Sequence, residues 1–207
     1  MSEPLFKGAH QALTYAFNYS SGTLDRPAMA KMADRTPRTG RGLAGVDGAA
    51  QAGFILRELQ ALSPLHQRIL EAAFLPQTTP CPCCHSAVWN AEWLQSVRVV
   101  SDAAIGAGVL SGHVVHRVVR DGLVMRYFAT KANRPRIVLA DLASKAGISE
   151  RTVTDQNGKI TLWLRGSRLP PKQGGKAIVG QEDRAIADIE SALILAGIVG
   201  TAEATDA

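Results

Sequence analysis

Apolar residues recur along this chain at intervals of three and four, the spacing that lines one face of an α-helix. Ala9, Leu13, Ala16 and Phe17 mark a helix over 6–19, and Ala50, Phe54, Leu56, Leu59 and Leu62 mark another over 47–62. Ser63 and Pro64 then supply an N-cap and a first-turn proline for a helix over 65–74. So short a connection makes the last two helices packing neighbours. A further helix starts around Trp89 and Asn90 and is broken by Gly106 and Gly108. Ser111 caps the next segment, whose Val114, Val118 and Met125 form part of a core stripe. The final helix, 181–199, turns Ile186, Ile189, Leu193 and Ala196 inward, with Glu182 and Asp183 suited to its N-terminus. The pattern predicts a mainly α fold, a multi-helix bundle.

The most informative stretch runs from Ile137 to Leu164. Leu139, Leu142, Ala143 and Ala146 keep helical spacing, and Gly147 stands where a chain leaving a helix needs positive φ. Ile148 plugs the turn and Ser149 is a good N-cap, so a second helix starts near Glu150. Val153, Ile160, Trp163 and Leu164 form its expected buried stripe. Glu150, Arg151, Thr152, Thr154, Asp155, Gln156 and Lys159 are left on the exposed or partly exposed side. These donors and acceptors suit base edges and phosphates, so the segment reads as a helix-turn-helix that lies in a DNA major groove. A rival is a β-hairpin turning at Asn157–Gly158, because Asn-Gly between alternating residues favours a type I′ turn. The two exclude each other. A mid-helix glycine costs only about 1 kcal/mol relative to alanine, and the preceding Gly-Ile-Ser spacing has no purpose in a hairpin, so the helix is preferred.

Charge strengthens this assignment. The net formal charge is +5, but Lys131 to Lys172 alone holds nine basic residues against Asp141, Glu150 and Asp155. Arg134, Arg136 and Lys145 thereby join Ser149 and the second-helix residues as the expected DNA-binding set. A second basic stretch, Arg26 to Arg41, carries five basic residues against Asp34, and its Arg35, Arg38 and Arg41 are candidates for contact with a polymerase or RNA. Proline, glycine and serine interrupt any period there, so it reads as a flexible basic arm over 20–45 that orders on a partner, or as a plain linker. Pro170–Pro171 and Gly174–Gly175 mark a second linker, 169–180. The organisation expected is an N-terminal helix (1–19), the arm, a helical core (46–168) with the helix-turn-helix at 137–164, the linker, and a C-terminal helix (181–200).

The only cysteines, Cys81, Cys83 and Cys84, sit in one run with His85. Structural zinc favours two ligand pairs with the second well downstream, and this run is too compact to wrap an ion alone. Completion by His113 and His116 is conceivable in principle, but no cofactor is expected. Catalysis is not expected either, because the carboxylates are scattered rather than clustered for metal ions, and Tyr127 beside Arg126 is too little for a strand-transfer site. No apolar run reaches the roughly 18 to 20 residues of a membrane span, and no signal segment opens the chain, which points to the cytoplasm.

Two phrases resemble known DNA-binding pieces. LSPLHQRILEAAF is similar to the opening helix of region 4 of bacterial sigma factors, and LADLASKAGISERTV is similar to that region's helix-turn-helix, although residues 75–138 separate them here. The order FKGAHQAL, GLAGVDGAAQAGFI, LSPLHQRIL, a cysteine patch before NAEW, and GISERTV resembles the Q-type transcription antitermination factors of lambdoid phages and AlpA-type prophage activators. That resemblance implies a factor that binds a DNA element near a promoter and engages RNA polymerase. Travelling with it past terminators, the factor would narrow the exit path of the nascent RNA. Arg151, Thr152, Thr154, Gln156 and Lys159 match the DNA-reading position of the pattern. The cysteine patch is shorter than the two-pair form the pattern would carry, so a zinc site is not transferred. The alternative function is a promoter-binding regulator or sigma-like factor without antitermination activity.

Overall fold

A computed structural model describes residues 5–24, 45–112, 115–167 and 177–200. The expected arm residues Arg35, Arg38 and Arg41, together with His113, Val114 and residues 169–176 of the 169–180 linker, lie outside the described residues. The described chain is mainly helical, with eight α-helices and two short antiparallel strand pairs. It divides into two compact units, one of Met1–Leu62, Phe74–Pro76 and Ile186–Ala207, the other of Ser63–Ala73 and Gln77–Ala185. Among the described residues no helix is long and apolar enough to cross a membrane.

In the first unit, α1 (Ala9–Leu24) packs on α2 (Gly45–Gln60). Ala9, Leu13, Ala16 and Phe17 are buried, as their spacing predicts, and Tyr15 donates its hydroxyl to Gly48 O at 3.1 Å. His10 packs edge-on against Phe74 with ring centroids 4.9 Å apart. The helix continues past its expected end at residue 19. In α2 the stripe falls elsewhere than expected: Ala52, Ile55 and Leu59 are buried, whereas Phe54 is 48% exposed beneath the Arg57 guanidinium. Ala52 and Ile55 share the three- and four-residue spacing with Leu59 and form the buried stripe.

The second unit holds α3 (Pro64–Phe74) up to Ala73, then β1 (Thr78–Pro80), β2 (Ala87–Trp89), α4 (Ala91–Gly106) and α5 (Arg117–Phe128). Ser63 Oγ accepts from His66 N at 3.3 Å, the N-cap its position predicts. Trp89 belongs to β2 rather than to a helix, because Asn90 caps α4 by accepting from Glu92 N at 2.9 Å. Trp93 on the first turn of α4 is fully buried and donates Nε1–H to Ala72 O at 2.9 Å. A polar cluster ties α4 to α5: Asp121 accepts from Ser101 and lies 3.6 Å from Arg117, and Arg120 donates to Asp102. α5 has its N-cap at His116, not at Ser111, and Val118 is 52% exposed. Val119, Gly122 and Leu123 face inward instead, because Gly122 admits Leu142 to within 2.5 Å of where a Cβ would stand.

Candidate nucleic-acid interface

A 3-10 turn (Arg134–Arg136) leads from α5 into α6 (Leu139–Ala146), which a three-residue turn joins to α7 (Glu150–Arg165). Gly147 takes φ 65°, and Ile148 N returns to Ala143 O at 3.1 Å, so the glycine closes α6 in the left-handed conformation that other residues resist. Ser149 then opens α7, its Oγ accepting from Thr152 N at 3.2 Å. The helix runs unbroken through Asn157 and Gly158, so no hairpin turns there. α5, α6 and α7 pack on one another through Val119, Leu123, Leu142, Ala143, Val153, Ile160 and Leu164, all buried.

Gln77 braces the corner before this trio. It is 8% exposed, donates to Phe128 O at 2.7 Å, and accepts through Oε1 from Thr130 N at 3.1 Å and Asn133 Nδ2 at 2.9 Å. Every polar atom of its amide oxygen side is thus engaged in holding the α5–α6 link, a role with no signature in the local sequence. Beyond α7, β3 (Gly166–Ser167) pairs antiparallel with β4 (Ile178–Val179). The expected linker therefore ends in a strand and not in loose chain. A Cβ on Gly166 would stand 2.2 Å from Ile178 O, and one on Gly180 would stand 2.3 Å from Leu164 O, so the pairing depends on two glycines meeting at the end of α7.

The outward face of α7 carries Arg151, Thr154, Asp155, Gly158, Lys159 and Leu162, all exposed, with Glu150 and Ser149 exposed at its start and Thr152 half-buried. Lys145 is exposed on α6. Gln156 is the exception among the expected readers: it is fully buried. Its place between Val153 and Ile160, three and four residues away, puts it on the inner stripe, so its polarity does not bring it outside. Trp163 is correspondingly half-exposed rather than buried.

Two other expected contacts are partly committed to the protein. Arg134 donates to Ala129 O at 3.2 Å, and the Arg136 guanidinium lies 4.8 Å from the Trp89 ring centroid, with Trp89 in turn stacked on Trp93 at 5.3 Å. Leu162 and Gly158 are surface features the polar reading passed over. Nothing lies within 4 Å of a Cβ built on Gly158, so no packing demands a glycine in the middle of that face.

The charge on α7 is modest, with Arg151, Lys159 and Arg165 against Glu150 and Asp155. Most of the positive charge of the region lies in the chain on either side, at Lys131, Arg134 and Arg136 and, in the sequence joining β3 to β4, at Arg168, Lys172 and Lys176 with no acidic residue among them. A cavity of about 260 Å³ beside the last turn of α7 is lined by Tyr127, Arg134, Arg165 and Glu182. Tyr127 donates to Glu182 at 2.5 Å, and burial, followed by that carboxylate, pushes its hydroxyl well above the usual tyrosine range.

A different cluster sits at the tip of the β1–β2 hairpin. Cys81, Cys83 and Cys84 bring their sulfurs within 4.8 Å of one another, Cys81 and Cys83 to 3.0 Å. The hydroxyl and amide of Ser86 hold the Cys84 thiol down to about 7, the Cys83 thiol and the amides of Cys83 and Cys84 lower Cys81, and hydrogen bonding to Cys81 raises Cys83. Neither a family model nor a curated protein sequence matches this chain.

Proposed function

We propose that this protein is a transcription antitermination factor that reads a double-stranded DNA element near a promoter with α7, as the second helix of a helix-turn-helix, and modifies bacterial RNA polymerase to read through terminators. The observation carrying the DNA-binding step is the outward polar face of α7, backed by a fully buried stripe and preceded by a tight glycine turn. Arg151 is placed to reach a base edge, and Asp155 offers an acceptor for a cytosine amino group. Lys159 and the flanking arginines serve phosphates, which supply affinity without sequence preference. The likeness to Q-type factors supports the further step to polymerase, with nascent RNA as an additional partner and the cytoplasm as the setting. Arg35, Arg38 and Arg41 are candidates for that contact.

Binding is tested on a selected duplex and on random duplex across a salt series. Arg151→Ala is expected to weaken the selected site by about 1–3 kcal/mol with little change on random DNA, whereas Lys159→Ala weakens both alike and lowers the salt slope by about one. Equal losses on both duplexes for both variants would mean that α7 does not read sequence. Transcription from a fixed promoter through an intrinsic terminator separates the functions. Raised readthrough at constant initiation supports antitermination. Altered initiation with unchanged readthrough supports a promoter-binding regulator, a reading the geometry of α7 serves equally well.

A further inference from the structure

The hairpin tip solves a spacing problem that the bare sequence leaves open. A run of residues as short as 81–85 looks unable to surround an ion, yet the strands pair in register from Thr78–Trp89 to Pro80–Ala87 and then close tightly. Cys81 N donates to Ser86 O at 2.8 Å and His85 N to Cys81 O at 2.9 Å. His85 takes φ 57°, the only positive φ of a non-glycine among the described residues, and within this turn the three cysteine sulfurs come together. Thiolates on a tetrahedral zinc lie about 2.3 Å from the metal and hence about 3.8 Å apart. The three sulfurs, all within 4.8 Å of one another, need only small rotations to reach that spacing.

The surroundings suit a metal–thiolate set. The Ser86 hydroxyl lies 3.0 Å from the Cys84 sulfur, a donor that would offset the charge of a ligated thiolate. No carboxylate or imidazole joins the group among the described residues, which disfavours magnesium and calcium, whose ligands are oxygens. Cys83 and Cys84 are exposed, so an ion reaches the tip without any rearrangement of the fold.

We propose that Cys81, Cys83 and Cys84 together bind one zinc ion per chain, in an open three-thiolate site whose fourth position faces outward. This inference is independent of DNA binding by α7.

The test uses the full chain, reduced, stripped with a chelator, and titrated with cobalt(II) and then zinc. The expected result is one ion per chain, a thiolate-to-cobalt charge-transfer band of three-sulfur intensity, and loss of that band as zinc displaces cobalt. Cys83→Ser should cut the band by about a third and weaken zinc by more than the roughly 10- to 100-fold that losing a supporting partner costs. His85→Asn, which keeps a residue tolerant of positive φ, should leave both unchanged. Helical circular dichroism of each variant, unaltered because the tip is exposed, shows that the fold persists. No charge-transfer band, unchanged zinc affinity in Cys83→Ser, loss of binding in His85→Asn, or half an ion per chain would each overturn the proposal.

Discussion

Helix α7 and the β1–β2 tip both offer polar groups outward, but they are ordered by different means. α7 is held by its own buried Val153, Ile160 and Leu164 and by packing on α5 and α6, so its outer face is set before any partner arrives. The tip stands on strands of three residues, with Val88 40% exposed, and its order comes from a few backbone hydrogen bonds. A side chain on α7 can therefore be changed without reshaping its neighbours. At the tip, a bound ion would itself add order, since metal binding and local folding share their free energy.

The sharpest way to break this contrast is to remove the support under α7. Ile160→Ala deletes a buried side chain and should cost about 2–5 kcal/mol in denaturant unfolding. DNA affinity should fall with it, while zinc uptake at the tip survives wherever the protein stays folded. Loss of zinc uptake by the folded variant would show that the two regions are not independently ordered.

Gln77 lies between the two, at the foot of β1. Gln77→Ala strands the Thr130 amide and the Phe128 carbonyl, and thermal melts should register a loss of about 1–3 kcal/mol. A neutral outcome would mean that water replaces the side chain and that the α5–α6 corner needs no brace.

Gly158→Ala sharpens the comparison from the other direction. With open space at its Cβ, the alanine should stabilise the helix by roughly 1 kcal/mol. DNA binding should nevertheless weaken if a duplex lies close against the backbone of this face. A more stable protein with unchanged binding would place the partner elsewhere.

The smallest effect is expected at alkaline pH. Tyr127 has its folded-state value raised above the ordinary 10, so its contribution is complete below about pH 10 and is lost as pH climbs toward the folded value. Stability measured from pH 8 to 12 should decline at the upper end in the parent protein and less so in Tyr127→Phe. Parallel curves would assign the decline to other groups.

What could be read in advance follows from how local each cause is. Gly147 and Ser149 act on their own backbone, so the end of α6 and the start of α7 were legible residue by residue. The same holds for Ala9, Leu13, Ala16 and Phe17, whose spacing and character agree. At Gln156 spacing and character disagree and burial goes with spacing, whereas Phe54 and Val118 are apolar at helical spacing yet exposed, so periodicity alone does not choose the packed face there.

The sequence by itself determined a mainly helical chain, the turn at Gly147 and the concentration of positive charge after Lys131, because each rests on periodicity, backbone conformation or composition. Only the tertiary structure decided that Gln156 lies on the inner face of α7, that Gln77 holds the corner before it, and that three cysteine sulfurs come together at one turn. The first two depend on atoms distant in the chain, and the third on the hydrogen-bonded closure of the turn between Cys81 and Ser86.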